Sequence, residues 1–297
     1  MSRSKVLIFG VTGQDGYYLS QLCRSEGFDV TGVSRSANVE GSVKADISDY
    51  KQVEQLIKEY QPAFVFHLAA NSSTSHDCLF ENHEAISTGT INLLEAAYKH
   101  SPQSKVFLSG SAVQFENKGV PINEETAFAA LSPYAVARIQ SVYAGRYFRK
   151  LGLNVYVGYF FHHDSPLRGD KHINQRIAKA VLRIAEGSNE KIELGSLSVK
   201  KEFNFAGDFM VAIWMMMQQE KEFELVIGSG KAFSIQEWIE CCFKKLNLDW
   251  QSHVSLQPGF KPDFDILVSD PSKLYSIGWQ PQVSMEQLAD RMLFSQS

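Results

Sequence analysis

The sequence predicts an α/β protein that consists of a doubly wound parallel β-sheet followed by a smaller C-terminal lobe. Three observations support this fold class. In the first half of the chain, short runs of β-branched and aromatic residues alternate with amphipathic stretches, which is the pattern of successive βαβ units. Several of these runs have continuous apolar segments, such as VLIF (6–9) and AFVF (63–66), as expected for strands that are covered on both faces. A glycine-rich turn follows the first run, where a strand passes into a helix.

Five strands are predicted in the first 162 residues. They are KVLIFG (5–10), FDVTGVSR (28–35), AFVFHLAA (63–70), KVFLSG (105–110) and LNVYVGYFF (153–161). Helices are predicted at about 15–26, at 87–100 and at 132–152, where apolar residues recur at helical spacing. We therefore predict an N-terminal domain at residues 1–162 whose strands are joined by right-handed crossovers.

The pattern changes after residue 162. Helices are predicted at 172–186, 207–219 and 234–246, a short strand at ELVIGSG (224–230), and a tail marked by glycine and proline from Gln257 onward. We predict that residues 163–297 form mainly the smaller lobe, with some segments returning to the main sheet. The cleft between the two parts is the expected ligand site.

The composition excludes several classes of protein. The 297 residues carry 29 basic and 33 acidic side chains, a net charge of −4, so neither a nucleic acid nor an anionic membrane is expected as a partner. The densest apolar run, VAIWMMM (211–217), is far shorter than the ~20 residues of a membrane span. The four cysteines include no C-x-x-C pair and are expected to be reduced, as in a cytoplasmic protein.

The glycine-rich turn has three glycines at intervals of three residues. They allow a tight turn and a close approach of the backbone to a pyrophosphate, which the helix N-terminus also attracts. The pattern also occurs in ordinary turns, but here it follows the first strand of a βαβαβ series. We predict a Rossmann-type dinucleotide site formed by Gly10, Thr12, Gly13, Gln14, Asp15 and Gly16.

The residues at the end of the second strand indicate whether NAD or NADP binds. An NAD site usually has Asp or Glu there, but this chain has Ser34-Arg35-Ser36 and no carboxylate before Glu40. A guanidinium can hold a 2′-phosphate with two hydrogen bonds, so NADP is favoured over NAD. The alternative is that Arg35 is an ordinary solvated charge. Asp46 and Ile47, at the next turn, are expected beside the adenine.

Three residues form a candidate catalytic group. Tyr134 and Arg138 are four residues apart on one face of a predicted helix, and Ser111 directly follows the strand KVFLSG. The group resembles the Ser/Thr–Tyr–Lys set of the extended short-chain dehydrogenases/reductases, the NAD-dependent epimerase/dehydratase family. In that family the tyrosine is the acid/base of hydride chemistry, and the serine or threonine binds the reacting oxygen. Without the resemblance, Tyr134 could equally be a half-buried helix aromatic like Tyr143 and Tyr147.

Three segments narrow the resemblance to the GDP-mannose 4,6-dehydratase family and together extend it over nearly the whole chain. They are GVTGQDGYYL (10–19), FHHDSPLRG (161–169) and LGSLSVKKEFNFAGDFMVAIWMMM (194–217). The first motif is common to many relatives, whereas the other two are specific. The resemblance implies an NADP-dependent enzyme that moves a hydride at C4 of a nucleotide-activated hexose, with GDP as the expected nucleotide.

Two departures from the family bear directly on the chemistry. Arg138 replaces the family's lysine and keeps the positive charge, but as a larger, forked group. Val113 stands where the dehydratases have the glutamate that removes the C5 proton, and an alkyl side chain cannot transfer protons. A shift of one residue would place Gln114 there instead, and an amide is no general base either. The nearest carboxylate, Glu116, is three residues further on, so the dehydration step is in doubt.

The resemblance implies further contacts. Leu68, Ala69, Ala70, Ser72, His163 and Arg168 match cofactor-binding positions, and His162, Arg176, Lys201 and Lys261 match or replace substrate-binding ones. Lys201 could instead form a solvated pair with Lys200. No metal site is expected, because adjacent histidines such as His162 and His163 on one strand point to opposite faces. The short 35–46 loop argues against the tetramer of the dehydratases, so a homodimer through the Tyr134 helix and its neighbour is expected.

The predicted function is therefore hydride transfer at C4 of a GDP-linked hexose, with Tyr134 as the acid/base. The resemblance favours a dehydratase, whereas the residue chemistry favours a 4-ketoreductase of a GDP-4-keto-6-deoxyhexose or a C4 epimerase. A catalytically silent homologue that binds NADP and a nucleotide sugar remains the alternative of a different class.

Overall fold

The computed structural model describes residues 3–36 and 41–295. It contains fourteen strands in these ranges, most of them short. They are β1 (Lys5–Phe9), β2 (Asp29–Ser34), β3 (Ser42–Lys44), β4 (Phe64–His67), β5 (Lys105–Ser111), β6 (Asn154–Phe160), β7 (His163–Asp164), β8 (Ile192–Leu194), β9 (Lys200–Glu202), β10 (Asn204–Phe205), β11 (Glu224–Ile227), β12 (Ala232–Ser234), β13 (Val254–Leu256) and β14 (Ile266–Leu267).

The same ranges contain ten α-helices. They are α1 (Gln14–Ser25), α2 (Tyr50–Tyr60), α3 (Leu79–Asn82), α4 (Gly89–His100), α5 (Pro133–Lys150), α6 (Ile173–Ala185), α7 (Ala206–Met217), α8 (Ile235–Lys245), α9 (Ser272–Ser276) and α10 (Met285–Phe294). A π-helical segment, His83–Thr88, joins α3 to α4. Among the described helices none has the length and apolar character needed to cross a membrane.

The main sheet has seven parallel strands in the order β11-β6-β5-β4-β1-β2-β3. The chain moves outward from β1 in one direction through β2 and β3, and then in the other direction through β4, β5 and β6. Where the direction reverses, between β1 and β4, the carboxyl ends of the strands border a crevice. The predicted doubly wound Rossmann-type fold is confirmed.

Alternation along β1 explains why both faces of the sheet are buried. Leu7 and Phe9 pack on the face covered by α2, α4 and α5, whereas Val6 and Ile8 pack on the face covered by α1 and α7. All four side chains are at most 1% exposed. Successive residues of a strand point to opposite faces, so a continuous apolar run is what a sheet between two helical layers requires.

A third apolar core lies outside the two layers of the sheet. It joins α6, α8 and α10 around the fully buried Trp238 and Phe243, together with residues of β8 and β10. Two segments of the C-terminal half instead join the main sheet: β11 pairs with β6, and α7 packs against α1. The chain therefore returns to the sheet after residue 162 before it completes the smaller core.

Some elements lie where the pattern above predicts none. The helix α2 begins after Asp49, whose carboxylate accepts hydrogen bonds from the amides of Lys51 and Gln52, and it buries Val53, Leu56 and Ile57. The strand β3 and the helix α10 are likewise unpredicted. These three buried residues of α2 lie at helical spacing, so its sequence carries the pattern of an amphipathic helix that the prediction above left out.

Candidate functional site

Two adjoining cavities lie at the carboxyl ends of the parallel strands. One, of about 330 Å³, extends toward Tyr134, and the other, of about 250 Å³, extends toward Arg35. They share Gly10, Gly13, Leu68 and Ala70 as lining residues, so they form one elongated cleft. We call them the reactive cavity and the adenosine cavity. The cleft crosses the point between β1 and β4 where strand order reverses.

The glycine turn forms the middle of the cleft floor. Gly10 has a φ of +93°, and a Cβ there would lie 2.7 Å from the amide nitrogen of Ala69. A Cβ on Gly16 would lie 2.3 Å from the carbonyl oxygen of Gly10. Both positions therefore require glycine, the first for its backbone conformation and the second for the close packing of α1 on the turn. The cradle fits the pyrophosphate of a dinucleotide above the N-terminus of α1.

Gln14 and Asp15 connect this turn to the segment around β7. The Gln14 amide donates to the carbonyl oxygen of His163 (3.3 Å) and accepts from the Ser165 hydroxyl (3.0 Å). The Asp15 carboxylate lies 3.0 Å from Nε2 of His163. Burial opposes ionisation of Asp15, but the neighbouring His163 and Arg168 outweigh it and lower the pKa of that carboxyl. The segments GVTGQDGYYL (10–19) and FHHDSPLRG (161–169) therefore contact each other in the fold.

The adenosine cavity contains the predicted cofactor residues of β2 and the following turn. Thr12, Arg35, Asp46, Ile47 and Ala69 all line it. Two carboxylates that sequence analysis did not single out, those of Glu81 and Glu84, line the same cavity.

The reactive cavity brings Ser111, Tyr134 and Arg138 together. Ser111 ends β5 in register with Phe160 of β6. Tyr134 lies in the first turn of α5, which begins at Pro133 after the capping hydroxyl of Ser132. Its ring is 7% exposed and packs on Ile86, Ala137 and Val113. The end of β5 and the start of α5 therefore present two hydroxyl groups to the same cavity.

Arg138 is buried beside Tyr134 and is held by Ser109. Its Nη1 donates to the carbonyl oxygen and to the hydroxyl of Ser109, the latter at 2.8 Å. The guanidinium carbon lies 5.0 Å from the centre of the Tyr134 ring. Burial, together with the nearby Arg138, lowers the pKa of His67 to about 3, so that imidazole is neutral. Within the described residues Arg138 forms no salt bridge, and it lines the cavity beside Tyr134.

Val113, rather than Gln114, faces the reactive cavity. A short 3₁₀ turn at residues 112–114 turns Gln114 inward, where it is fully buried and its amide oxygen accepts from the backbone amide of Ser111 (2.9 Å). Glu116 is exposed and pairs with Lys118 at 3.0 Å. Among the described residues that line the reactive cavity, Asp15 is therefore the only carboxylate.

The segment after β6 contributes imidazoles and a guanidinium. His162, His163, Arg168 and His172 line the reactive cavity, and Arg168 lies 3.4 Å from the Asp164 carboxylate. The expectation that His162 and His163 point to opposite faces is wrong, because His162 lies in the link between β6 and β7 and not in a strand. Burial, followed by neighbouring cations, lowers the pKa of His172 to about 4 and that of His162 well below its usual value.

Three predicted substrate residues do not line either part of the cleft. Lys201 is 6% exposed, so it is no solvated partner of Lys200, and burial lowers its pKa to about 8. Arg176 is exposed and borders a separate cavity of about 250 Å³ on α6. Lys261 is exposed in the tail. Within the described residues, no three His, Cys, Asp or Glu side chains are grouped so as to hold a metal ion.

Several cleft residues escaped sequence reasoning. They are Thr74, Glu81, Glu84, Ser109, Phe161 and His172. Ser109 had a weak signal, since it stands two residues before Ser111 on the same side of a strand. Glu81 had none, because only the tertiary structure brings it within 3.6 Å of Arg35, which is 46 residues away in the sequence.

Comparison with known proteins agrees with this geometry. A family model described as GDP-mannose 4,6 dehydratase matches residues 7–292. GDP-mannose 4,6 dehydratase 2 of Arabidopsis thaliana is 32% identical over 321 aligned residues, which cover 98% of this chain and 86% of the relative. MoeE5 in complex with UDP-glucuronic acid and NAD has a TM-score of 0.86 at 20% identity, covering 98% of each chain. RMD from Pseudomonas aeruginosa complexed with NADPH has a TM-score of 0.84 at 19% identity, also covering 98% of each. The two structures show that the fold is shared.

Proposed function

Because the chain belongs to the GDP-mannose 4,6-dehydratase family of the extended short-chain dehydrogenases/reductases, we propose that it moves a hydride at C4 of a GDP-linked hexose without eliminating water. One observation supports the proposal that no water is eliminated. Val113 lines the reactive cavity against Tyr134, at the position where the family's proton-abstracting glutamate is expected. Asp15, the only carboxylate among the described lining residues, is already bonded to His163.

The cofactor proposed for this cleft is NADP(H). Gly10, Gly13 and Gly16 would cradle the pyrophosphate, and Arg35 would meet the 2′-phosphate. The nicotinamide end would lie in the reactive cavity, beside Tyr134. When bound, the cofactor supplies or accepts the hydride. NAD is the alternative, since the adenosine cavity is lined by carboxylates as well as by Arg35.

Each residue of the reactive cavity has a proposed role in reduction of a 4-keto sugar. The Ser111 hydroxyl donates to the carbonyl oxygen and orients it, and the Tyr134 hydroxyl gives its proton to the same oxygen. The guanidinium of Arg138 then stabilises the negative charge left on Tyr134. The supporting contact is the guanidinium carbon of Arg138, which lies 5.0 Å from the centre of the Tyr134 ring. In the opposite direction Tyr134 takes the proton of a C4 hydroxyl.

The diphosphate of the nucleotide sugar is proposed to bind at the side of the reactive cavity where Arg168 and Lys201 supply positive charge. Arg168, which the resemblance assigns to the cofactor, lines this cavity and not the adenosine cavity, so we propose that it contacts the diphosphate instead. The buried Lys201 is close enough for its charge to lower the pKa of His162. Arg176 and Lys261, both exposed, are proposed to contact the nucleotide from outside the cleft. The neutral His162 is proposed as a hydrogen-bond partner of the sugar or of its diphosphate.

Two substrates test the reaction directly. The purified protein is incubated with GDP-mannose and, separately, with GDP-4-keto-6-deoxymannose plus NADPH, and the products are followed by mass. We expect NADPH consumption and a gain of two mass units with the second substrate, and no water loss from the first. Loss of water from GDP-mannose would overturn the proposal. Interconversion of 4-epimers would identify an epimerase, and binding without turnover of either would favour the catalytically silent homologue.

The substitution Val113→Glu tests the assignment of the missing carboxylate. A carboxylate at this position would face the reactive cavity beside Tyr134, so we expect the variant to gain detectable water loss from GDP-mannose. Gln114→Glu is the matched control, because its side chain is turned into the core and is expected to destabilise the protein without adding elimination. Elimination by the control and not by Val113→Glu would contradict the assignment.

We further propose that the protein is a cytoplasmic homodimer with two functional parts. Residues 1–162 would mainly bind the cofactor and residues 163–297 mainly the nucleotide sugar, with β11 and α7 as segments of the second part that pack on the first. All four cysteines are free thiols, in keeping with a reducing compartment.

A further inference from the structure

The guanidinium of Arg35 has a partner within the adenosine cavity. Its Nη2 lies 3.6 Å from a carboxylate oxygen of Glu81, which reaches it from α3 across the carboxyl edge of the sheet. The other oxygen of Glu81 accepts from the side-chain amide of Asn71 at 2.8 Å. The carboxylate is therefore held at a defined place between the end of β2 and the loop after β4.

The other two carboxylates of the cavity do not share this position. Oδ1 of Asp46 accepts from both the amide and the hydroxyl of Ser48, at 2.9 and 2.8 Å. Glu84 lines the cavity, but within residues 3–36 and 41–295 it forms no ion pair with Arg35. Among the described lining residues Arg35 is the only cation, so one guanidinium faces three carboxylates.

We propose that Glu81 limits the preference for NADP over NAD by holding Arg35 in an ion pair that an incoming 2′-phosphate must displace. The inference rests on the proposed dinucleotide site and concerns only its selectivity. A 2′-phosphate takes over the guanidinium and leaves Glu81 with Asn71 alone, whereas NAD has no 2′-phosphate and leaves the Arg35–Glu81 pair intact. Glu81 therefore opposes NADP and is neutral toward NAD.

The size of the effect follows from the exposure of the pair. The side chains of Arg35 and Glu81 are 68% and 42% exposed, so water screens their attraction. Exposed pairs of this kind change an equilibrium by at most about fivefold. Glu81→Gln removes the charge and keeps the shape and the acceptor for Asn71. We expect this variant to bind NADP⁺ about two- to fivefold more tightly and NAD⁺ with less than a twofold change.

The experiment measures the dissociation constants of NADP⁺ and NAD⁺ by titration calorimetry at low ionic strength. Glu84→Gln is the matched control, since it removes one negative charge from the same cavity without breaking the pair. The ratio of the two dissociation constants is expected to change less in this control than in Glu81→Gln. An unchanged ratio in Glu81→Gln, or a shift toward NAD⁺, would overturn the inference.

A second pair of variants separates the ion pair from simple repulsion. If Glu81 acts through Arg35, Glu81→Gln will no longer change the ratio in an Arg35→Gln background. If Glu81 only repels the phosphate directly, the change will persist in full, and the inference is then wrong. Failure of the wild-type protein to bind either dinucleotide would refute the proposed site itself, a result distinct from binding with an unchanged ratio.

Discussion

Arg138 and Ser109 together explain how an arginine fits where the family has lysine. One arm of the guanidinium is taken up by the carbonyl oxygen and the hydroxyl of Ser109, at the end of β5. This anchors the larger side chain inside the protein and leaves its charge 5.0 Å from the Tyr134 ring. We therefore propose that Arg138 keeps the electrostatic role of the family's lysine, while part of its hydrogen-bonding capacity is directed to the protein itself.

The substitution Tyr134→Phe tests the proposed acid/base role of this tyrosine. It removes the only proton that the proposed mechanism transfers, so we expect kcat to fall by about 10²–10⁴-fold, with little change in the dissociation constant of NADP(H). Steady-state kinetics and calorimetry measure the two quantities. Tyr143→Phe, on the exposed face of the same helix, is the control and should keep full activity. More than a tenth of wild-type activity in Tyr134→Phe would refute the role.

At the scale of elements, Glu224 holds the returning strand β11 to the sheet. Its carboxylate accepts from Nε and Nη2 of Arg146 (2.9 and 2.7 Å), from Nη1 of Arg149 (3.1 Å) and from the hydroxyl of Tyr159 (2.6 Å). Burial opposes ionisation of Glu224, but these hydrogen bonds outweigh it and lower its pKa to about 2. A strand that comes from the C-terminal half is thus fixed at its first residue.

The substitution Glu224→Gln is expected to lower the free energy of unfolding by about 2–3 kcal/mol at pH 7. Because the folded-state pKa lies below the usual value of 4.5, the stabilisation is complete above about pH 5 and is lost as the pH falls toward 2. The difference between wild type and variant should therefore shrink over that window. Urea unfolding at pH 7 and pH 3.5 measures it.

Glu220→Gln is the control for this prediction. Its side chain is 82% exposed and lies 3.9 Å from Lys105, so the change should alter stability by less than about 0.5 kcal/mol. A pH-independent difference between wild type and Glu224→Gln would mean that lost packing, and not the ionised carboxylate, accounts for the destabilisation.

At the scale of the whole molecule, α4 and α5 expose several large apolar and aromatic side chains. They are Ile91 and Tyr98 on α4 and Val136, Tyr143 and Tyr147 on α5, each 38–58% exposed. The two helices pack side by side, and the Tyr98 ring lies 6.1 Å from that of Phe148 on α5. This face of α4 and α5, which includes the helix that carries Tyr134, is where the proposed homodimer would form.

The substitution Tyr147→Asp tests this interface. A buried charge at the centre of an apolar contact has a large desolvation cost, so we expect the variant to be monomeric at concentrations where the wild type is a dimer. Light scattering coupled to gel filtration measures the mass. Phe294→Asp, which changes an equally exposed aromatic residue at the end of α10, should leave the dimer intact. A monomeric wild-type protein would contradict the proposal.

The helices and strands that could be predicted are those with strong local patterns. Strands such as β1 and β4 contain continuous apolar runs, and α5 has the Ser132-Pro133 start signal. The helix α2 was not predicted although Val53, Leu56 and Ile57 recur at helical spacing after the capping residue Asp49, so its sequence does contain the signal of an amphipathic helix. The strands β8, β9 and β13 are three residues long, too short for alternation to be recognised.

The sequence by itself determined the fold class, the glycine turn and the placing of Tyr134 and Arg138 on one helix face, because each depends on spacing within one strand, turn or helix. Only the tertiary structure decided which residues meet across the cleft. Asp15 contacts His163 and Arg35 contacts Glu81 because parallel strands bring their carboxyl ends to one edge, whatever the sequence separation. It also decided that Val113 and not Gln114 faces the reactive cavity, because the inward hydrogen bond from the Ser111 amide to Gln114 sets the direction of that turn.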